Sequence, residues 1–142
     1  MKYALDTNII TYYLKGYEII ADKVDIEAAN DSIVIPPLAY FEIKKWLCTN
    51  NAKAKLQAFE KLLEKYGIDV IDKESLDLAL SIYLNLRKTG ISIDDGDLLI
   101  AAYCIRNNYV LVTNNLKHFE NIENLQIVNW SVGQEESTNG SN

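Results

Sequence analysis

The chain has 142 residues, 49% of them hydrophobic and 24% charged, with a formal net charge of -6 and a pI near 4.8. That length suits one domain with a buried core, and no window approaches the roughly 18 consecutive apolar residues of a membrane span. The acidity argues against a protein that grips nucleic acid through a broad basic surface, although a bound divalent cation would reverse the local sign.

The opening MKYALDTN enters structure with no apolar leader segment, and a reducing cytoplasm is the expected compartment. Tyr3-Ala4-Leu5 reads as a short buried strand that ends in the polar turn Asp6-Thr7-Asn8. One or two helical turns follow from Ile9 to Leu14, closed by Gly16, and a second helix runs from about Tyr17 to Ala29. Ile33-Val34-Ile35 is a second strand, stopped by Pro36-Pro37.

A helix begins at Leu38, where Leu38, Phe41 and Trp46 can share one apolar face. Glu42 lies one turn inside it, with Lys45 three residues later. Ala52 to Tyr66 is another helix, basic on its outer side and ended by Gly67. Ile68 to Ile71 reads as a third strand. Asp72 is placed to cap a helix over about Glu74 to Lys88, in which Leu76, Leu80, Tyr83 and Leu84 keep helical spacing.

After Gly90 come the acids Asp94, Asp95 and Asp97, then an apolar run from Leu98 to Ile105. This is a buried helix with carboxylates at its N-terminus. It feeds a strand, Tyr109 to Val112, that stops at Thr113-Asn114-Asn115, and a last short strand spans Leu125 to Asn129. Strands alternating with helices predict one α/β domain over residues 1–130, with a mainly parallel sheet of four to five strands flanked by helices. Residues 131–142, SVGQEESTNGSN, lack an apolar pattern and are expected to be a disordered tail.

Three carboxylates stand out by position: Asp6 at a strand's end, Glu42 on the helix entered from the second strand, and Asp97 at the start of the buried helix. In a parallel sheet all three can reach one edge. Carboxylates crowded in a low-dielectric cleft do not all stay ionised without a positive partner, and Mg²⁺ or Mn²⁺ suits oxygen ligation best. Simpler roles are open for each. Asp6 can cap the next helix, Glu42 can pair with Lys45, and Asp94 and Asp97 can complement a helix dipole. His118 reads as a surface or packing residue and Cys104 as core, while Cys48 and Cys104, unpaired by any CxxC, predict neither zinc nor a disulfide. No GxxxxGK[ST] loop or GxGxxG is present. A receiver-type phosphotransfer domain would need an acid pair after the first strand, and a haloacid-dehalogenase-like phosphatase a second Asp where Asn8 stands.

Asp6-Thr7-Asn8, inward Glu42, Asp97-Leu98-Leu99-Ile100-Ala101-Ala102, and Leu111-Val112-Thr113-Asn114-Asn115 with His118-Phe119 together resemble the PIN-domain family. Within it, the chain looks most like VapC-type toxins of prokaryotic toxin–antitoxin pairs, from about Lys2 to Trp130. The resemblance implies a metal-dependent endoribonuclease of the cytoplasm, a short antitoxin partner, an RNA substrate and frequent homodimerisation. By position, Asp6, Glu42 and Asp97 match the catalytic, metal-binding acids. Asp97 rather than Asp94 is the match, because the family's acid lies three residues before the Ile-Ala-Ala step. Asp94, Thr7, Asn8, Thr113 and Asn115 become supporting residues, and Lys45 a substrate contact. Asn115 stands where many relatives carry a fourth acid, which bears on whether one metal ion or two are held. A PIN fold that only binds RNA or a partner, and a housekeeping nuclease without an antitoxin, are the alternatives.

Overall fold

The computed structural model describes residues 1–30 and 32–131, so all but the first residue of the expected tail lies outside the described residues. Among the described residues, four strands form the sheet: β1 (Tyr3–Leu5), β2 (Ile33–Val34), β3 (Val110–Val112) and β4 (Ile127–Val128). Their order is β2-β1-β3-β4, and every pairing is parallel. Ala4, Leu5, Leu111 and Val112 are fully buried, as strands covered by helices on both faces must be.

Among the described residues, seven helices surround the sheet: α1 (Thr7–Leu14), α2 (Glu18–Ala28), α3 (Pro37–Thr49), α4 (Lys53–Tyr66), α5 (Lys73–Lys88), α6 (Asp95–Asn107) and the single turn α7 (Leu116–Phe119). The apolar run predicted to be buried all round is α6, with Leu98 and every residue from Ile100 to Cys104 buried. Asp94 caps its start by accepting from Gly96 N, and Asn108 ends it in the left-handed region at φ 60°. Asp72 caps α5 by accepting from Ser75 N at 2.8 Å. Cys48 and Cys104 are both free thiols.

One expectation is corrected. Ile68 to Ile71 is not a strand. Gly67, at φ 73°, turns the chain, and Asp69 Oδ1 takes the Val70 N–H at 2.8 Å where a ladder carbonyl would otherwise stand. Asp69 Oδ2 accepts from the Tyr103 hydroxyl at 2.9 Å, while Val70 is 78% exposed. A short apolar run carries no periodicity that separates strand from loop.

The buried face of α3 is Ala39, Ile43 and Leu47, leaving Phe41 and Trp46 exposed. This helix packs on α1 and α6. On α5, the regularly spaced Leu76, Leu80, Tyr83 and Leu84 face outward, and Ser75, Ala79 and Leu86 face in. Both helices therefore leave several large apolar side chains on the surface. Among the described residues, no helix is long and apolar enough to cross a membrane.

Candidate active site

Parallel pairing of β1 with β3 sets Leu5 beside Val112, so the next residues, Asp6 and Thr113, meet at the carboxyl edge of the sheet. Asp6 N donates to Val112 O at 2.9 Å, and Thr113 N to Val128 O at 3.0 Å. Both side chains are buried here, and the Thr113 hydroxyl donates to Asp6 Oδ2 at 2.8 Å. Asp6 Oδ1 accepts from Thr7 N at 2.8 Å, which makes Asp6 the N-cap of α1 as well.

Glu42 reaches the same edge because α3 packs against both α1 and α6. Its Oε1 accepts from the Thr7 hydroxyl at 2.6 Å. Thr7 thus holds Asp6 with its amide and Glu42 with its hydroxyl. The expected pairing of Glu42 with Lys45 is not formed: Lys45 Nζ sits 5.3 Å over the Phe41 ring, and Lys44 binds Glu60 at 3.2 Å. Glu42 Oε2 instead lies against the first turn of α6, where a β-carbon on Gly96 would be 2.8 Å away. Asp94 Oδ2 would be 3.1 Å from that same carbon, so Asp94 is a close neighbour of Glu42 besides being a cap.

Asp97 points its Oδ2 at His118 Nδ1, 2.8 Å away. This partner was missed in the sequence, where His118 read as a surface or packing residue. Its place in the turn after β3 was a usable signal; its pairing with an acid 21 positions upstream was not. The remaining supporting residues form the rim. Asn115 N donates to the Thr113 hydroxyl at 3.0 Å, Asn8 Nδ2 to Asn114 Oδ1 at 3.4 Å, and Asn114 Nδ2 to the Tyr12 hydroxyl at 2.7 Å. The Asn115 side chain makes no capping bond to α7. Asp95 is exposed.

Electrostatics mark Asp6 as the strained member. Burial pushes its carboxyl up to about 6, against the lowering effect of the Thr113 and Thr7 hydrogen bonds, with Asp97 and Glu42 adding repulsion. Asp97 is also raised, by burial first, with His118 opposing and Asp94 adding. Among the described residues, neither Asp6 nor Glu42 has a Lys, Arg or His salt-bridge partner. Nor do any three His, Cys, Asp or Glu side chains converge closely enough to chelate an ion as they stand. Each acid is held by a protein donor: Asp6 by Thr113 and Thr7, Glu42 by Thr7 and Asp97 by His118. The donor chemistry, oxygen-only and net anionic around a buried carboxylate without a cation, fits a hard divalent ion.

Residues 3–125 match the PIN domain profile. Ribonuclease VapC1 of Haemophilus influenzae strain R2866 is 36% identical over 134 residues, covering 92% of this chain and 99% of that protein. Ribonuclease VapC2 of Rickettsia felis is 33% identical, covering 92% and 98%. The crystal structure of VapBC2 from Rickettsia felis, bound to a DNA fragment from the promoter, aligns with a TM-score of 0.81 at 30% identity. It covers 92% of this chain and 99% of that one. The chain belongs to the PIN-domain family, among the VapC ribonucleases.

Proposed function

We infer that this chain is an endoribonuclease that hydrolyses RNA phosphodiesters, and that it is the toxin of a toxin–antitoxin pair. One observation carries the reading: three carboxylates from separate elements, Asp6, Glu42 and Asp97, are brought to one strand edge in a member of a ribonuclease family. Asp6, Asp97 and Glu42 would hold a divalent cation, Mg²⁺ or Mn²⁺. An ion held there would supply Lewis acidity, favouring deprotonation of the attacking water and offsetting charge on the phosphoryl oxygens.

The chain's own residues hold the acids in place. Thr113 and Thr7 fix both oxygens of Asp6, and the Thr7 hydroxyl fixes Glu42. Asn115 holds the Thr113 hydroxyl through its backbone N–H, so the loop after β3 and the acid at the end of β1 share that hydroxyl. Attack by water on phosphorus, with the 3′-oxygen leaving, gives a 5′-phosphate and a 3′-hydroxyl and makes no use of the ribose 2′-hydroxyl. Single-stranded or looped RNA suits a shallow polar edge, because its bases can be splayed out. Lys117, which lines one cavity with Asp94 and Asp97, and Lys45 with the exposed lysines of α4 supply cationic surface against a net charge of -6.

An antitoxin partner is part of the same reading, supported by the VapBC2 assembly of Rickettsia felis. Self-association is supported by the outward apolar stripe of α5. A cytoplasmic location follows from an RNA target.

The direct experiment exposes a mixed RNA pool to the protein in Mg²⁺, with and without EDTA. Cleavage stopped by EDTA is expected. Intact RNA in both Mg²⁺ and Mn²⁺ would mean a PIN fold that binds without turnover.

A further inference from the structure

Each candidate acid is tied to a specific donor. Asp6 has Thr113 and Thr7, Glu42 has Thr7, and the one side-chain partner of Asp97 among the described residues is His118. The histidine is not there as packing, since its side chain is 52% exposed while that of Asp97 is 20% exposed. An exposed ring with no support would sample many rotamers, yet this one is held from behind. The next residue, Phe119, is 1% exposed and anchors α7 in the core. His118 N donates to Asn115 O at 3.0 Å, and Asn115 N donates to Thr113 Oγ1 at 3.0 Å. The turn carrying His118 is therefore built onto the same hydroxyl that holds Asp6.

We propose that His118 is a positioning residue for Asp97: its Nδ1–H holds Oδ2 and thereby presents Oδ1 to the divalent cation. This rests on the reading of Asp97 as a cation ligand. A carboxylate tethered through one oxygen loses freedom of rotation about its last bond, so less entropy is lost when the other oxygen is engaged. Outer partners of this kind are worth roughly 10–100-fold in metal affinity or activity. The arrangement differs from Thr7 and Thr113 in needing one ring nitrogen to carry the proton. With Asp97 ionised, Nδ1 is the donor and Nε2 is left toward solvent or substrate. The exposed position means that replacing His118 leaves the core intact.

The test is Mn²⁺ affinity, measured on the full-length protein by the electron paramagnetic resonance of free ion. The proteins compared are the parent, Asp97→Asn, His118→Ala, His118→Asn and His118→Gln. Asparagine sets an amide N–H near the place of Nδ1; glutamine sets it near Nε2. Expected is a loss of about tenfold or more in His118→Ala and His118→Gln, with His118→Asn within about threefold of the parent. RNA turnover by His118→Ala should recover toward the parent kcat as Mn²⁺ is raised. Unchanged affinity in His118→Ala, or equal loss in His118→Ala and His118→Asn, overturns the proposal while Asp97→Asn still loses binding. If Asp97→Asn binds as tightly as the parent, Asp97 is not a ligand, and both this proposal and the reading beneath it fall.

Discussion

A β-carbon on Gly96 would stand 2.8 Å from Glu42 Oε2, closer than side-chain carbons tolerate. The first turn of α6 can therefore carry only glycine at this position while Glu42 stays where Thr7 holds it. The atom in the way is the far end of a flexible side chain, so the helix need not move; Glu42 must. Gly96→Ala is expected to change stability by less than about 1 kcal/mol, since alanine is the better helix former. Cation affinity and RNA cleavage should fall about tenfold or more. Thermal melts alongside Mn²⁺ titration check this, and full cleavage by Gly96→Ala would make the seating of Glu42 irrelevant.

Asp6 makes a pH-dependent prediction. Its carboxyl is raised to about 6 in the folded, metal-free protein, from an ordinary value of 3.8. A raised folded value means that the native state binds the proton more tightly than the unfolded chain. Stability is then highest below the unfolded value and declines as pH rises through about 6. The difference is on the order of 3 kcal/mol. Asp6→Asn removes this liability, less what an amide loses by offering one acceptor oxygen instead of two. In EDTA at pH 7.5, Asp6→Asn should melt several degrees above the parent, and at pH 4 the two should coincide. Mg²⁺ should raise the parent's Tm and leave the variant's unchanged. Parallel melting curves at both pH values would show that Asp6 is not destabilised by its burial.

The stripe of Leu76, Leu80, Tyr83 and Leu84 on α5 leaves apolar surface facing out. Covering it with a second copy removes it from water at roughly 25 cal/mol per Å². Replacing Leu80 and Leu84 together with Glu is expected to convert a dimer to a monomer, read by light scattering, with a lower melting temperature because the dimer contact no longer stabilises the fold. A parent that is monomeric at high concentration, or a variant that stays dimeric, places self-association elsewhere or nowhere.

Much of this architecture was legible because local signals agreed. Alternating apolar strands and helices, Asp72 and Asp94 as caps, and the apolar run of α6 each sit where their residues predict. The acids Asp6, Glu42 and Asp97 could be named from position and family resemblance. What could not be read was tertiary. The composition of Ile68 to Ile71 is that of a strand, while in the fold Asp69 takes the Val70 N–H and the Tyr103 hydroxyl in place of a ladder. The inward faces of α3 and α5 mix small residues, Ala39, Ser75 and Ala79, with Ile43, Leu47 and Leu86, a mixture that apolar spacing alone does not single out. His118 was discounted because a lone histidine carries no pattern, and only the folded turn places it on Asp97.

The central claim is that Asp6, Glu42 and Asp97 act together in hydrolysis by water. Single-turnover cleavage of one defined RNA in Mg²⁺, with product ends mapped, tests it most directly. Asp6→Asn, Glu42→Gln and Asp97→Asn should each slow cleavage roughly a hundredfold or more, and the parent's products should carry 5′-phosphates and 3′-hydroxyls. An Asp97→Asn protein that cuts as fast as the parent, or products ending in a 2′,3′-cyclic phosphate, would contradict it.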